Sequence, residues 1–255
     1  MRTTIRTATR ISGAVAGLAI GATILSGCAL LPAHGMGDET TLSDTAGITS
    51  VRIDDPSGSV SVSGETGATD IRIERDIQYW GAKRDIGTTF EVNGDELVLS
   101  GCGQRCTVNY TIELPAGVDV SGQTENGEIE LSDVNNVDVS TSNGRISLED
   151  VTGRIEVGTS NGRIEGSELS GDGIIAKTSN GSIELELATP QDVKANTSNG
   201  SITLRVPTGG YEVVAETSNG GKNIDIASDP NGEFLLDLGT SNGSITVRDS
   251  ASSDD

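Results

Sequence analysis

Thr141-Ser-Asn143-Gly-Arg-Ile146, Thr159-Ser-Asn161-Gly-Arg-Ile164, Thr178-Ser-Asn180-Gly-Ser-Ile183, Thr197-Ser-Asn199-Gly-Ser-Ile202 and Thr240-Ser-Asn242-Gly-Ser-Ile245 are near-copies of one hexapeptide. Thr124-Glu-Asn126-Gly-Glu-Ile129 and Thr217-Ser-Asn219-Gly220 are looser versions. Successive Asn residues are separated by 17, 18, 19, 19, 20 and 23 positions. Near-constant spacing of this size marks a stacked repeat. Apolar residues alternate with polar ones around each copy: Val193 and Ala195 precede Thr197, and Ile202, Leu204 and Val206 follow Asn199. That period of two predicts a half-buried strand on either side of each Asn-Gly. Glycine is expected there to supply the positive φ of a turn.

Two architectures fit this unit. Asn-Gly between alternating runs is a two-residue hairpin signal, and a series of such hairpins is an antiparallel β meander. In a β-solenoid each unit is instead one coil of about 17–20 residues, and equal positions stack about 4.8 Å apart. Asn126, Asn143, Asn161, Asn180, Asn199, Asn219 and Asn242 would then form a ladder of amides bonded above and below. A meander has no need of the same side chain at the same place in every hairpin, whereas stacked coils do. The expected fold is all-β, a single-domain β-solenoid taken as a right-handed β-helix, with the meander as alternative. A thin coil also suits a chain with two Phe, three Tyr and one Trp.

Outward from the repeats, the array is expected to begin near Ile48, with Asp55-Pro-Ser57-Gly-Ser-Val60 as a degenerate unit, so that residues 46–248 form the repeat domain. Residues 74–117 are less regular and read as an atypical N-terminal part covering the open end of the stack. They contain Cys102-Gly-Gln-Arg-Cys106 between two strand-like runs, which in an oxidising compartment predicts a disulfide. Zinc is the weaker reading, because the single histidine, His34, lies elsewhere and no second Cys pair exists. Residues 249–255 read as an acidic tail.

At the other end, Arg2, Arg6 and Arg10 precede an apolar run from Ile11 to Leu25 and then Leu25-Ser-Gly-Cys28. That order predicts a signal peptide over residues 1–27. Its apolar run is shorter than the roughly 20 residues that cross a bilayer. The tetrapeptide resembles the bacterial lipobox, which implies a chain that begins at Cys28 with diacylglycerol on its sulfur. Two acyl chains anchor stably where one is marginal, so the expected location is the outer side of the cell membrane. Residues 28–45, with Pro32, Gly35 and Gly37, read as a flexible tether.

The formal charge is −21, and it becomes −24 when residues 1–27 are removed. Such a surface repels nucleic acid. Glu128, Glu130, Glu149, Asp150, Glu156, Glu165, Glu184 and Glu186 mostly alternate with apolar residues, which predicts a solvated face, not a pair of carboxylates across a cleft. The Gly-Gly-x-Gly-x-Asp pattern of calcium-binding coils is missing, so no dedicated metal site is expected, and no cofactor or catalytic residue is assigned. Tyr79 and Trp80, beside Lys83 and Arg84, are candidates for a binding contact; the plainer alternative is packing at the end of the core.

The lipobox, the Cys-bearing turn ahead of Ile112-Glu-Leu-Pro-Ala-Gly117 and the serial Ser-Asn-Gly units together resemble a bacterial adhesin-like repeat family of unknown function. Its exported or membrane-attached members are related to autotransporter-adhesin heads. The resemblance spans roughly residues 48–248 and implies a β-repeat fold with no catalytic residues to carry over. With the composition, it leads to the expectation of a non-catalytic envelope lipoprotein serving adhesion, wall association or scaffolding. Its partners would be the membrane, through Cys28, and a cell-wall polymer or surface protein. The alternative is a carbohydrate-active β-helix enzyme, a lyase or hydrolase.

Overall fold

Strand alternation puts Val137, Val139 and Thr141 inside, while Asp138 and Ser142 face water, and the copies leading to Asn161, Asn180, Asn199 and Asn242 do the same. In the computed structural model, which describes residues 32–42, 47–55 and 57–250, the N-terminal strands are β1 (Ala33–Leu42), β2 (Ser50–Asp54), β3 (Val60–Glu65), β4 (Ile71–Trp80), β5 (Phe90–Asn93), β6 (Glu96–Ser100) and β7 (Cys106–Pro115). The repeats then contribute strand pairs: β8 (Asp119–Asn126) and β9 (Ile129–Ser132), β10 (Val137–Asn143) and β11 (Ile146–Glu149), β12 (Ile155–Asn161) and β13 (Ile164–Leu169). There follow β14 (Ile174–Asn180) and β15 (Ile183–Leu187), β16 (Val193–Asn199) and β17 (Ile202–Val206), β18 (Tyr211–Asn219) and β19 (Lys222–Ile224), and β20 (Phe234–Asn242) and β21 (Ile245–Asp249). The proposed signal peptide, Cys28 and residues 251–255 of the acidic tail lie outside the described residues.

The first strand of each pair joins a 10-stranded sheet and the second an 11-stranded sheet. Pairing between coils is parallel and like meets like: Thr141 lies opposite Thr124 and Thr159, and Asn143 opposite Asn126 and Asn161. The chain is a β-solenoid. The Asn-Gly corner carries the chain from one sheet to the other, so the meander alternative does not occur. Between the sheets run columns of aliphatic side chains. Ile129, Ile146, Ile164, Ile183, Ile202 and Ile245 are each fully buried, and burial of such a side chain stabilises by roughly 1.5–3 kcal/mol.

Glycine follows each Asn for a reason other than the one expected. Gly127, Gly144, Gly162 and Gly181 do not have the left-handed φ of a hairpin turn. A Cβ on any of them would instead sit 1.8 Å from the carbonyl oxygen of the glycine in the adjoining coil, Gly58 in the case of Gly127. The corners stack backbone on backbone, and only hydrogen fits between them.

Chain order and stack order part at both ends. The coil β2–β3 lies between β6–β7 and β8–β9, and β20–β21 lies between β16–β17 and β18–β19. The last strand in chain order, β21, therefore belongs to a coil that is not the last in the stack. At the N-terminal end β4 adds antiparallel to β7, and β5 antiparallel to β6, so the atypical region closes that end.

Residues 33–42, read as tether, form β1 and pair antiparallel with β4. The physical cause lies in β4, whose inward positions include Arg75. Its buried guanidinium needs an anion, which Asp38 of β1 supplies in a two-point ion pair. Cys102 and Cys106 form a disulfide at the entry to β7. Its loop is short, so reduction should lower stability by an amount at the small end of the usual 2–4 kcal/mol, about 2 kcal/mol. Urea melts with and without reductant measure the difference.

Candidate functional site: a hydroxyl groove at the Asn-Gly corner

Beside the corner, two outward columns cross the 10-stranded sheet. One reads Gln123, Ser140, Gly158, Lys177, Asn196 and the other Glu125, Ser142, Ser160, Ser179, Ser198. Gly158 brings no side chain to its column, and a groove of about 650 Å³ runs past it from Asp54 and Asp55 to Lys177 and Ser179. A further hollow of about 530 Å³ follows on the same face beside Gly239, between Asn196 and Glu216. The floor of both is formed by the buried threonines of the repeat.

Those threonines are not available for chemistry. Thr141 Oγ1 donates to the Gly127 carbonyl at 3.2 Å, Thr159 to Gly144 at 3.1 Å, Thr178 to Gly162 at 3.1 Å and Thr197 to Gly181 at 3.0 Å. The Ser hydroxyls above them are exposed, and no histidine borders either hollow. The arrangement offers a row of donors and acceptors at the coil spacing, suited to binding an extended polar chain.

The Asn ladder lines the edge of the corner. Asn219 donates to Asn242, Asn242 to Asn199, Asn199 to Asn180, Asn180 to Asn161 and Asn161 to Asn143, all at 3.0 Å, and Asn143 donates to Asn126 at 3.1 Å. Two features of the ladder set its energetics. The amides are exposed, so truncating one strands no buried group, and Asn242 is an interior rung while Asn219 ends the ladder. Asn180→Ala should therefore cost less than about 1 kcal/mol, and Thr178→Val, which leaves the Gly162 carbonyl short of a buried partner, about 1–3 kcal/mol. Denaturant melts of the two variants rank them. Deamidation at Asn180 should also be slow, because it requires the Gly181 nitrogen to attack the side chain, and that N–H is bound to the Asn199 carbonyl at 2.9 Å. Mass spectrometry of aged, folded and unfolded samples reads the contrast.

Tyr79 and Trp80 lie away from the groove on β4. Tyr79 is buried, its ring stacked 4.9 Å from that of His34 and approached by the Arg84 guanidinium at 5.5 Å from the ring centroid, and its hydroxyl donates to the Arg84 carbonyl. Trp80 is 42% exposed. The carboxylates of the other sheet do not converge: Arg145 pairs with Glu128 and Glu165, and Arg163 with Glu165 and Glu184, in an exposed ladder. Asp55, at the end of the groove, was not singled out from the sequence. Its side chain is 2% exposed, and burial pushes its pKa up to about 6, with Asp54 adding to the effect and the Ser57 N–H opposing it.

A family model for Toastrack DUF4097 matches residues 41–255. The chain belongs to this family. Toastrack membership places it in a repeat family and accords with the two stacked sheets; it carries no catalytic assignment. Among solved structures, a protein of Clostridium sporogenes provisionally assigned to cell adhesion is similar, with 11% identity, a TM-score of 0.41, 85% of this chain covered and 100% of that one. No curated protein matches this Toastrack chain significantly.

Proposed function

We propose that this Toastrack protein is a non-catalytic envelope protein, anchored through lipid on Cys28, that holds an extended polar polymer of the cell surface against its hydroxyl groove for adhesion, wall association or scaffolding. The observation that carries the reading is the groove itself, in which Ser142, Ser160 and Ser179 repeat at coil spacing above a floor of internally bonded threonines. A repeating ligand meets a repeating surface, and each added unit of polymer finds the same donors. A rigid stack of this kind keeps those groups in place without ligand, which lowers the ordering cost of binding. The net charge of −24 left once residues 1–27 are removed favours neutral or cationic polymers over anionic ones.

Two measurements test the parts separately. Detergent-phase partitioning of Cys28→Ser should move the protein to the aqueous phase with its folded signal intact; a variant that still partitions with detergent removes the anchor. Co-sedimentation with purified envelope polymers should show binding that weakens at least tenfold in the Ser142→Ala, Ser160→Ala, Ser179→Ala triple variant. Equal binding by parent and triple variant, or no binding by the parent to any envelope polymer, removes the groove.

A further inference from the structure

The threonine column ends on a carboxyl group. Thr124 Oγ1 donates to the Gly58 carbonyl at 3.2 Å. In the next coil outward β2 sets Asp54 beside Gln123 of β8, so Asp55 stands in the place of threonine opposite Thr124. The carbonyl in front of it belongs to Val108 of β7. A Cβ on Gly58 would lie 1.8 Å from the Val108 oxygen and 3.2 Å from Asp55 Oδ2; a Cβ on Gly162 would lie 1.8 Å from the Gly144 oxygen and 3.2 Å from Thr159 Oγ1. Asp55 Oδ2 thus occupies the position from which Thr159 donates a hydrogen bond at 3.1 Å.

As a carboxylate, Asp55 cannot make that bond. Its Oδ1 accepts from the Ser57 N–H at 2.9 Å, while Oδ2 is buried without a donor. A carboxylate has only acceptors, whereas a carboxylic acid has one O–H to give. We infer that Asp55 is held as a neutral acid whose Oδ2–H donates to the Val108 carbonyl, extending the threonine column into the outer coil and latching the β4–β7 end of the molecule to the repeat stack only while the proton is present.

The surroundings agree. Asp54, the last residue of β2, and Glu125 on β8 border this region with negative charge. Tyr110 of β7 is hydrogen-bonded to Thr89 and Ser100, and burial pushes its own pKa up to about 12, so it adds no charge. Arg75 of β4 is committed to Asp38, Gly87 and Thr89. With a pKa near 6, the group binds its proton more tightly folded than unfolded. The latch is complete below the ordinary carboxylate range, weakens as pH rises through 6 and changes no further above that. A threonine at this place would give the same bond at every pH, so the aspartate makes the junction responsive to acid where the rest of the column is not.

The test uses the full chain in three forms: parent, Asp55→Asn, whose amide donates without titrating, and Asp55→Thr. The carbon-13 shift of the parent Asp55 carboxyl should titrate with a midpoint near 6. Hydrogen-exchange protection of the β3 and β7 amides, corrected for intrinsic rate, should fall up to about a hundredfold in the parent between pH 4 and pH 7, since two pKa units are two decades of equilibrium constant. It should stay flat in both variants. A parent midpoint near 4, or a pH-dependent loss of the same size in Asp55→Thr, overturns the latch. If neither variant folds, the carboxyl titration of the parent still decides.

Discussion

Gly162→Ala is expected to destabilise the domain by more than about 4 kcal/mol, the range reserved for substitutions that break a named feature of the core. The added Cβ would lie 1.8 Å from the Gly144 oxygen and 2.6 Å from its carbon, both backbone atoms. Neither can step aside. The Gly144 N–H is bound to Asn161 and the Gly162 N–H to Asn180, at 3.2 and 3.0 Å, and the Thr159 hydroxyl holds the Gly144 carbonyl from the other side. Relief would require opening the coil spacing on one edge, which breaks the ladders of both neighbours together. Gly158→Ala is the control, since it lies within β12, four residues before the corner, with only contacts of 3.8 Å and longer around its new methyl group. It should be neutral or stabilising by up to about 1 kcal/mol, as expected for glycine removed from a strand interior. Equal urea midpoints for the two variants would show that the glycine column does not set the coil spacing.

The contrast between those glycines shows what the repeat makes legible and what it hides. The hexapeptide states which residues share a column, because burying Ile and Thr at a period of two leaves one register for stacking. It does not state the order of coils within a column. The rungs at Asn199, Asn219 and Asn242 are chemically alike, and only their wider spacings of 20 and 23 hint that the chain departs from simple succession. Asp55 was hidden for a related reason: the run from Asp55 to Val60 reads as a worn copy of the repeat, and that an acid had replaced the threonine is visible only once β2 is seen beside β8. The strand β1 carries almost no apolar signal, since its place is decided by backbone pairing with β4 and by the ion pair from Asp38 to Arg75. The serines of the groove carry no signal beyond the repeat itself, because Ser-Asn-Gly reads locally as the approach to a turn; their alignment into one surface depends on stacking.

Coil order gives the second large effect. A chain ending at Ile224 is expected to lose the structure of residues 211–224 completely, although all of those residues are still present. In a solenoid stacked in chain order, such a truncation would remove the outermost coil and leave β18–β19 seated on β16–β17. Here β18 pairs with β20 alone and β19 with β21 alone, so the truncation removes the coil on which they rest. Hydrogen exchange should show no protection in 211–224, and trypsin should cut at Lys222 and then at Arg205, where the new end of the stack exposes unpaired strand edges. The complementary variant deletes residues 211–232 and leaves five residues between β17 and β20, as many as join β15 to β16. It removes the outer coil but preserves the pairing of β20 with β16 and of β21 with β17, so protection in β16 and β17 should survive. The difference also bears on assembly, because the last residues of the chain must enter between two coils that precede them, and contacts of such long separation close late. Protection of residues 211–224 in the chain ending at Ile224 would mean that β18 can dock on β16 unaided, and the inserted position of β20 would then be a preference of the complete chain with no structural necessity behind it.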